Sequence, residues 1–226
     1  MNINTSTIET RKNYLSAVSA DAEIYYPDTD ETIMPEGIQH FLLSVHLASI
    51  LLAFFASRND AKVFGNVMLY YEEGKPKKFV SPDLMVCFGL EEFPKRVYKL
   101  WETKVVPSVV IEFASNTTWL NDVSSKLALY QKLGVAEYYV YDVEYAHLPE
   151  PLMAFRLEDG VLSEIEVKDK QILSESLGLE LVDTGKTLRF FDPQTQKFLM
   201  TMEETQAENE GLKKRLAELE KQNGGK

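Results

Sequence analysis

The stretch "SVVIEFASNTTWLNDVSSKLALYQKLGVAEYYVYD" (residues 108–142) has the pattern of a strand, a helix and a second strand. Apolar side chains at Val109, Val110, Ile111 and Phe113 predict a buried strand, although Glu112 lies in the middle of it. A buried carboxylate is costly unless it is paired with a cation or binds a metal. This strand therefore predicts a partner for Glu112 elsewhere in the fold.

The middle of the same stretch predicts a helix over about residues 120–133. Val123, Leu127 and Tyr130 follow one another at helical spacing, Asn121 or Asp122 can cap the start, and Gly134 marks the end. The segment "EYYVYD" (137–142) then predicts a strand. Short joints on both sides of the helix predict a right-handed crossover between two parallel strands.

Upstream, the pattern predicts a helix and two further strands. A long apolar helix over about 37–57 opens after Pro35-Glu36-Gly37, and strands follow at 62–71 and 79–88. A charged connection (89–106) leads to the strand at 108–114, and the three strands are expected to form an antiparallel meander. The core order is helix, three strands, helix, strand, which predicts an α/β fold of the α+β kind: a mixed sheet with helices packed on it.

Downstream, the sequence predicts that further strands extend this sheet. A Glu-Asp-Gly turn lies between strand-like flanks in "LMAFRLEDGVLSEIEV" (152–167), and "TLRFFDPQTQKFL" (187–199) predicts another short strand and turn. The expected organisation is a loose arm (1–20), one domain (21–198) and a C-terminal helix (199–226).

The C-terminal helix carries three heptads that are typical of a short coiled coil. Their a and d positions are Met202, Thr205, Asn209, Leu212, Leu216 and Leu219. Gly211 weakens the helix by about 1 kcal/mol, so both a homodimer helix and a solvated, frayed tail are compatible with the pattern.

Composition limits the class of protein. The chain has 226 residues, of which 45% are hydrophobic, enough for one core, and its single cysteine excludes an internal disulfide framework. Without a secretory signal at its start, a cytoplasmic location is expected, and the apolar run at 41–56 is too short and too polar to span a membrane.

The net charge of −11 means that the overall electrostatic field of the protein does not attract nucleic acid. The charge is uneven, however, because residues 75–104 carry seven Lys or Arg against four acids. This segment is either a local basic surface for a polyanion or a solvated loop face.

Two carboxylates, Asp83 and Glu112, lie in strands that are expected to be antiparallel neighbours. Taken alone, Asp83 after Pro82 suits a turn or a cap, and Glu112 suits an edge position facing solvent. Together on one face of a sheet they would form a hard-oxygen site for Mg²⁺ or Mn²⁺. The sequence contains none of the P-loop, GxSxG or HExxH motifs that would suggest other chemistry.

The segments "SPDLMV" (81–86), "PSVVIEFAS" (107–115) and "DVSSKLALYQKLGVAEYYVYD" (122–142) resemble the Uma family of restriction endonucleases, in the PD-(D/E)-x-K nuclease superfamily. The resemblance runs from about residue 25 to 200. Its most specific part is the set Lys126, Tyr130, Gly134, Val135, Glu137 and Tyr138. It implies a restriction-endonuclease-like core.

The resemblance also implies roles for individual residues. Asp83 and Glu112 match the two acids that bind the metal, with the carbonyl of Phe113 as a further ligand. The superfamily has lysine where this sequence has Ala114. The implied replacement is Lys126 on the following helix, although Lys126 could equally form an i,i+4 pair with Asp122 on an exposed face.

Three accessory residues follow from the same comparison. Glu36 and His40 match positions in the first helix of the family, and superfamily nucleases sometimes draw a third acid from that helix. Tyr130 is either a polar neighbour of the site or a core residue.

The expected function is Mg²⁺-dependent cleavage of DNA. The alternative is a nuclease-like fold without activity that serves as a binding or assembly module through its C-terminal helix.

Overall fold

The computed structural model describes residues 24–27 and 37–223. The expected N-terminal arm and Glu36 lie outside these residues. The helices are α1 (Ile38–Phe54), α2 (Leu100–Thr103), α3 (Trp119–Asn121), α4 (Leu127–Leu133) and α5 (Met202–Asn223), with a π-helical turn (Asp122–Lys126) joining α3 to α4. The strands are β1 (Ala61–Phe64), β2 (Leu69–Tyr70), β3 (Phe79–Val80), β4 (Leu84–Phe88), β5 (Tyr98–Lys99), β6 (Val109–Ala114), β7 (Glu137–Asp142), β8 (Leu152–Glu158), β9 (Val161–Ile165), β10 (Gln171–Ser174), β11 (Leu179–Asp183), β12 (Leu188–Asp192) and β13 (Lys197–Phe198).

A mixed six-stranded sheet forms the centre of the fold, with strand order β1-β4-β6-β7-β8-β9. β6 and β7 are parallel and all other neighbours are antiparallel. This confirms the mixed α+β class, the predicted order of core elements and the parallel crossover. The β8–β9 hairpin is also as predicted, since Asp159 and Gly160 both adopt positive φ in its turn.

Two of the predicted strands are each divided in two. Residues 62–71 contain β1 and β2, and residues 79–88 contain β3 and β4; β2 and β3 leave the main sheet and form a small sheet with β5. The chain turns at Gly65, where an added Cβ would lie 3.4 Å from the carbonyl oxygen of Asp83. Pro82, which has no N–H for a ladder, precedes β4. The close passage of these two turns fixes the backbone beside Asp83.

The two faces of the main sheet are covered by different elements. α1 covers one face with residues at helical spacing, among them Leu43, Leu47, Ile50 and Leu51. α4 covers the other face, where Tyr130 packs with Tyr138 and other apolar side chains. The alternation of side chains along β6 therefore sends Ile111 and Phe113 toward α1, and Val110 and Ala114 toward α4.

The last strands do not extend the main sheet, so that prediction was wrong. β10–β13 form a separate antiparallel sheet of four strands. β11 and β12 alternate buried and partly exposed residues, and their buried Leu179, Leu181, Leu188 and Phe190 join the cluster under α1. By covering this core, the second sheet removes its apolar face from water. Pairing with the edge strand β9, whose residues are mostly exposed, would bury less apolar surface.

α5 begins with a capping box. Thr201 Oγ1 accepts a hydrogen bond from the N–H of Glu204 (3.0 Å), and Glu204 Oε2 accepts one from the N–H of Thr201 (2.9 Å). Arg189 of β12 pairs with Glu204 (2.7 Å) and ties the start of the helix to the second sheet. Beyond this anchor, Met202, Leu212, Leu216 and Leu219 are all about half exposed. Within the described part of the chain, no helix is long and apolar enough to cross a membrane.

At the end of β7, the buried carboxylate of Asp142 organises the following loop. Its Oδ1 accepts a hydrogen bond from the N–H of Glu144, and its Oδ2 accepts bonds from the N–H groups of Ala146, His147 and Leu148, at 2.6–3.0 Å. Burial opposes ionisation, but the four N–H groups together lower the pKa of Asp142 below its ordinary value.

Asp142→Asn is expected to lower the free energy of unfolding by about 1.5–3 kcal/mol at pH 7, because an amide replaces a charged acceptor of four N–H groups. A carboxyl whose pKa is lowered by folding stabilises the protein above the unfolded pKa of about 3.9, and this contribution is lost as the pH falls through the folded pKa. The difference between variant and wild type should therefore shrink below about pH 4.

Urea unfolding at pH 7 and pH 3 measures both effects. Asp159→Asn, in the exposed β8–β9 turn, is the matched control and should change stability by less than about 0.5 kcal/mol. Equal effects of the two substitutions at pH 7 would contradict this account of the loop.

Candidate active site

Asp83 and Glu112 lie opposite each other on the same face of the sheet. The β4–β6 register pairs Leu84 with Ile111, and one step beyond it places Asp83 opposite Glu112. Two hydrogen bonds cross between them: the N–H of Phe113 donates to Asp83 Oδ2 (2.7 Å), and the N–H of Asp83 donates to Glu112 Oε2 (3.3 Å). Asp83 is 7% exposed and Glu112 is fully buried, so Glu112 is not the solvent-facing edge residue of the alternative interpretation.

His40 of α1 contacts this pair from the other helix layer. Its Nε2 lies 3.1 Å from Asp83 Oδ1, and its ring packs edge-on against Phe113. Ser44, one turn further along α1, donates to the carbonyl oxygen of Asp83 (3.1 Å). α1 therefore holds both the side chain and the backbone of Asp83.

Lys126 makes both of the contacts that the sequence left as alternatives. Its Nζ lies 2.9 Å from Glu112 Oε2 and also 2.9 Å from Asp122 Oδ1. The i,i+4 pair with Asp122 is not on an exposed helix face, because Asp122 is 1% exposed. The lysine thus takes the place beside Glu112 where Ala114 supplies no charge.

Tyr130 is both a core residue and a neighbour of the site. It is fully buried, and its hydroxyl donates to Glu112 Oε1 at 2.5 Å. The ring of Tyr138 on β7 packs against Tyr130 at a tilt of 49°, and its hydroxyl donates to the backbone carbonyl of Asp122 (2.9 Å). The sequence alone predicts Asp122 as a cap or surface residue, and Tyr138 enters only through the family resemblance. The signal for Asp122 is its spacing: Asp122, Lys126 and Tyr130 follow at intervals of four residues, as on one face of a helix.

The predicted cap of this helix was wrong. The helix begins at Trp119, Thr118 is its N-cap residue, and Asn121 and Asp122 are already helical. A π-helical turn over Asp122–Lys126 precedes α4, and such turns often occur at functional sites. Gly134 ends α4 with φ of 84°, as predicted.

The site buries three acidic side chains close to one lysine. The Lys126 ammonium contacts Glu112 and Asp122, whereas Asp83 is paired with His40. Burial raises the pKa of Glu112 to about 8, with Lys126 acting in the opposite direction and the other two carboxylates reinforcing the rise. Burial also raises the pKa of Asp122. With a pKa of about 8, the Glu112 carboxyl is mostly protonated at pH 7 in the metal-free protein, and a bound cation would favour its ionised form.

The pKa values of Lys126 and Asp83 fit the same arrangement. Burial alone would lower the pKa of Lys126, but the charges of Glu112, Asp122 and Asp83 raise it above its ordinary value. Burial opposes ionisation of Asp83, yet its hydrogen bond to His40 and the charges of His40 and Lys126 bring its pKa below the ordinary value. Lys126 is accordingly held as an ammonium and Asp83 as a carboxylate.

The donor set fits a hard divalent cation. A carboxylate offers about four acceptor positions; hydrogen-bond and charge contacts occupy two on Asp83 and three on Glu112, so both retain acceptor capacity. A divalent ion would also stabilise the ionised form of Glu112. Among residues 24–27 and 37–223, no group of three or more His, Cys, Asp or Glu is placed to hold a metal. Two protein carboxylates suffice for Mg²⁺, which usually keeps several water ligands.

Comparison with known proteins identifies the family. The Uma2 family model, described as "Putative restriction endonuclease", matches residues 14–185. The chain belongs to this family. The recognised segments at 81–86, 107–115 and 122–142 all lie inside the match.

Comparisons with solved structures and with curated proteins do not extend the family assignment. A solved structure from Anabaena variabilis, described as "a putative nuclease belonging to DUF820", has a TM-score of 0.47 and 14% sequence identity, covering 71% of this chain and 81% of that one. Among curated proteins, none matches the chain. The assignment of this protein to the Uma2 family rests on the match to the family model.

Lys126→Met is expected to lower the free energy of unfolding by about 3 kcal/mol in metal-free buffer at pH 7, because it leaves buried carboxylates without a counter-charge. Urea unfolding measures the change. Lys132→Met, an exposed lysine on α4, is the matched control and should change stability by less than about 0.5 kcal/mol. If Lys126→Met were as stable as this control, Lys126 would not neutralise the site.

Proposed function

We propose that this Uma2 protein is a divalent-metal-dependent endonuclease that hydrolyses phosphodiester bonds of DNA. One observation carries the proposal: the carboxylates of Asp83 and Glu112 lie on one face of the sheet, and the Lys126 ammonium is 2.9 Å from Glu112. Acids and a lysine in this order along the chain, matched to a nuclease family, support phosphoryl chemistry rather than a purely structural ion pair.

Asp83 and Glu112 would hold Mg²⁺ or Mn²⁺, with the carbonyl oxygen of Phe113 as a further ligand. When bound, such an ion lowers the pKa of a water molecule and neutralises charge on the phosphate. The protein's own contribution is to orient the two carboxylates. His40 holds Asp83, and Tyr130 holds the second oxygen of Glu112.

Lys126 would orient the attacking water or stabilise negative charge that develops in the transition state. Its ammonium carries hydrogen-bond donors, and charge-assisted bonds are the stronger class. Its side chain is 17% exposed, compared with 10% for Asp83 and 0% for Glu112. This exposure supports a role at the boundary between site and substrate.

DNA is the proposed substrate because the family description refers to restriction endonucleases. The overall charge of −11 opposes binding to a polyanion. Some lysines lie close together near α4: Lys75 donates to Glu72, and the positive charges of Lys132 and Lys78 help to lower the pKa of Glu72. These lysines, from the β2–β3 turn and α4, are a candidate contact for the phosphate backbone.

Purified protein with Mg²⁺ or Mn²⁺ should cleave DNA, and EDTA should abolish cleavage until the metal is restored. Asp83→Asn, Glu112→Gln and Lys126→Ala should each lower the rate at least about a hundredfold, because each removes a charge that acts on the reacting phosphate or its metal. Gel assays on single- and double-stranded DNA and RNA measure the rate and define the substrate.

Glu164→Gln is the control, since Glu164 is exposed on β9 and should leave the rate unchanged. Cleavage by Glu112→Gln at the wild-type rate would point to a contaminating nuclease. If wild type cleaved none of the substrates with either metal, the proposed activity would fail, and the inactive assembly module would become the better hypothesis.

We also propose that α5 joins two copies of the chain. The a and d positions of its heptads lie on the solvent-exposed length of the helix, and Leu212 and Leu216 are each 58% exposed. Pairing with a second α5 would remove these side chains from water.

Leu216→Asp should convert a dimer to a monomer, because it places a charge in the apolar seam. Ala207→Asp, outside the a and d positions of the same helix, should leave the dimer intact. Sedimentation velocity over a range of protein concentrations measures the association. A wild type that remains monomeric throughout would exclude the dimer.

A further inference from the structure

Lys126 is held by two carboxylates rather than one. Its Nζ lies at the same distance, 2.9 Å, from Glu112 of β6 and from Asp122 at the start of the π-helical turn. Glu112 belongs to the proposed metal site, whereas Asp122 has no assigned role. Asp122 is nevertheless 1% exposed, which is unusual for an aspartate in the first turns of a short helix.

The backbone of Asp122 is fixed by contacts that do not involve Lys126. Its N–H donates to the carbonyl of Thr118 (3.0 Å), and its own carbonyl accepts a hydrogen bond from Tyr138 of β7 (2.9 Å). Tyr138 is itself fully buried against Tyr130. Asp122 is therefore an anchor whose place is set by the sheet.

Lys126 needs such an anchor more than a lysine within a strand would. Its ammonium is a compact charge at the end of a flexible four-carbon stem, and its side chain is partly exposed. With Glu112 as its only partner, the stem could turn toward solvent. A second carboxylate, that of Asp122, holds the ammonium between two oxygen atoms. This matters because small displacements of a reacting group greatly slow a reaction.

Stability does not explain this arrangement. An i,i+4 pair on an exposed helix face would serve a purely structural purpose without removing a carboxylate from water. A buried ion pair is weak evidence for stabilisation, and here a second carboxylate is removed from water beside an ammonium that Glu112 already contacts. Groups placed against their electrostatic preference are typical of functional sites.

We propose that Asp122 is a positioning residue that holds the Lys126 ammonium against Glu112 for phosphodiester hydrolysis. The inference rests on the proposed function for its kinetic consequences. Its structural consequence, the location of the lysine, is independent of activity. Asp122 acts through Lys126 and touches neither the substrate nor the metal.

The kinetic test compares wild type, Asp122→Asn, Lys126→Ala and the double variant in the DNA cleavage assay. Asp122→Asn should lower kcat about tenfold to a hundredfold, as substitutions of supporting residues at metal sites typically do, with the half-saturating Mg²⁺ concentration unchanged. In the Lys126→Ala background the same substitution should cause no further loss. Asp122→Glu, which keeps the charge, should recover part of the rate.

Two kinetic results would overturn the inference. Additive losses in the double variant would show that Asp122 does not act through Lys126. A loss confined to the half-saturating Mg²⁺ concentration would make Asp122 a metal ligand instead.

Crystal structures of the wild type and of the Asp122→Asn and Ser125→Ala variants test the same point without any activity. In Asp122→Asn, Lys126 Nζ should leave hydrogen-bond distance of Glu112 Oε2. Ser125→Ala, an exposed position on the same turn, should retain both contacts. Lys126 unmoved in Asp122→Asn would overturn the inference.

The cleavage assay and the crystal structures together separate the positioning role of Asp122 from the proposed function. A wild type without cleavage defeats the proposed function and leaves the crystal structures to decide the positioning role. A wild type that cleaves, with Lys126 unmoved in Asp122→Asn, defeats the positioning role alone.

Discussion

The fully buried carboxylate of Glu112 is the constraint on which the rest of the structure depends. A carboxylate inside a sheet is tolerated only when its oxygens are satisfied. Here three elements converge to do so: the turn before β4 supplies the N–H of Asp83, the π-helical turn supplies Lys126, and α4 supplies Tyr130. The close passage at Gly65 lies beside the backbone of Asp83, and the π-helical turn carries Lys126 to Glu112.

The same constraint links the two helix layers. α1 acts on Asp83 through His40 and Ser44, and the π-helical turn and α4 act on Glu112 through Lys126 and Tyr130. The site lies at the start of β4, where both helix layers reach the sheet. A fold with only one helix layer could place the two acids together, but it could not hold each of them from a different side.

The site buries three acidic side chains within one small region, which a purely structural network would avoid. Burial raises the pKa of Glu112 to about 8, with Asp83 and Asp122 reinforcing the rise and Lys126 opposing it, so that a bound cation would favour the ionised carboxylate. Proteins commonly accept such local destabilisation where function requires it. The stable parts of the fold lie elsewhere, in the apolar cluster under α1 that both large sheets share.

The sequence alone determined the elements whose signals are local: the strand-helix-strand order of residues 108–142, the end of α4 at Gly134, the β8–β9 hairpin and the length of α5. The predicted strand order made the pairing of Asp83 with Glu112 an expectation, and the family motifs added the role of Lys126. Only the tertiary structure decided that β10–β13 form their own sheet, that Asp122 is buried rather than a cap, and that His40 meets Asp83. These features depend on contacts between residues far apart in the chain, where burial and charge outweigh the local propensities that a sequence pattern records.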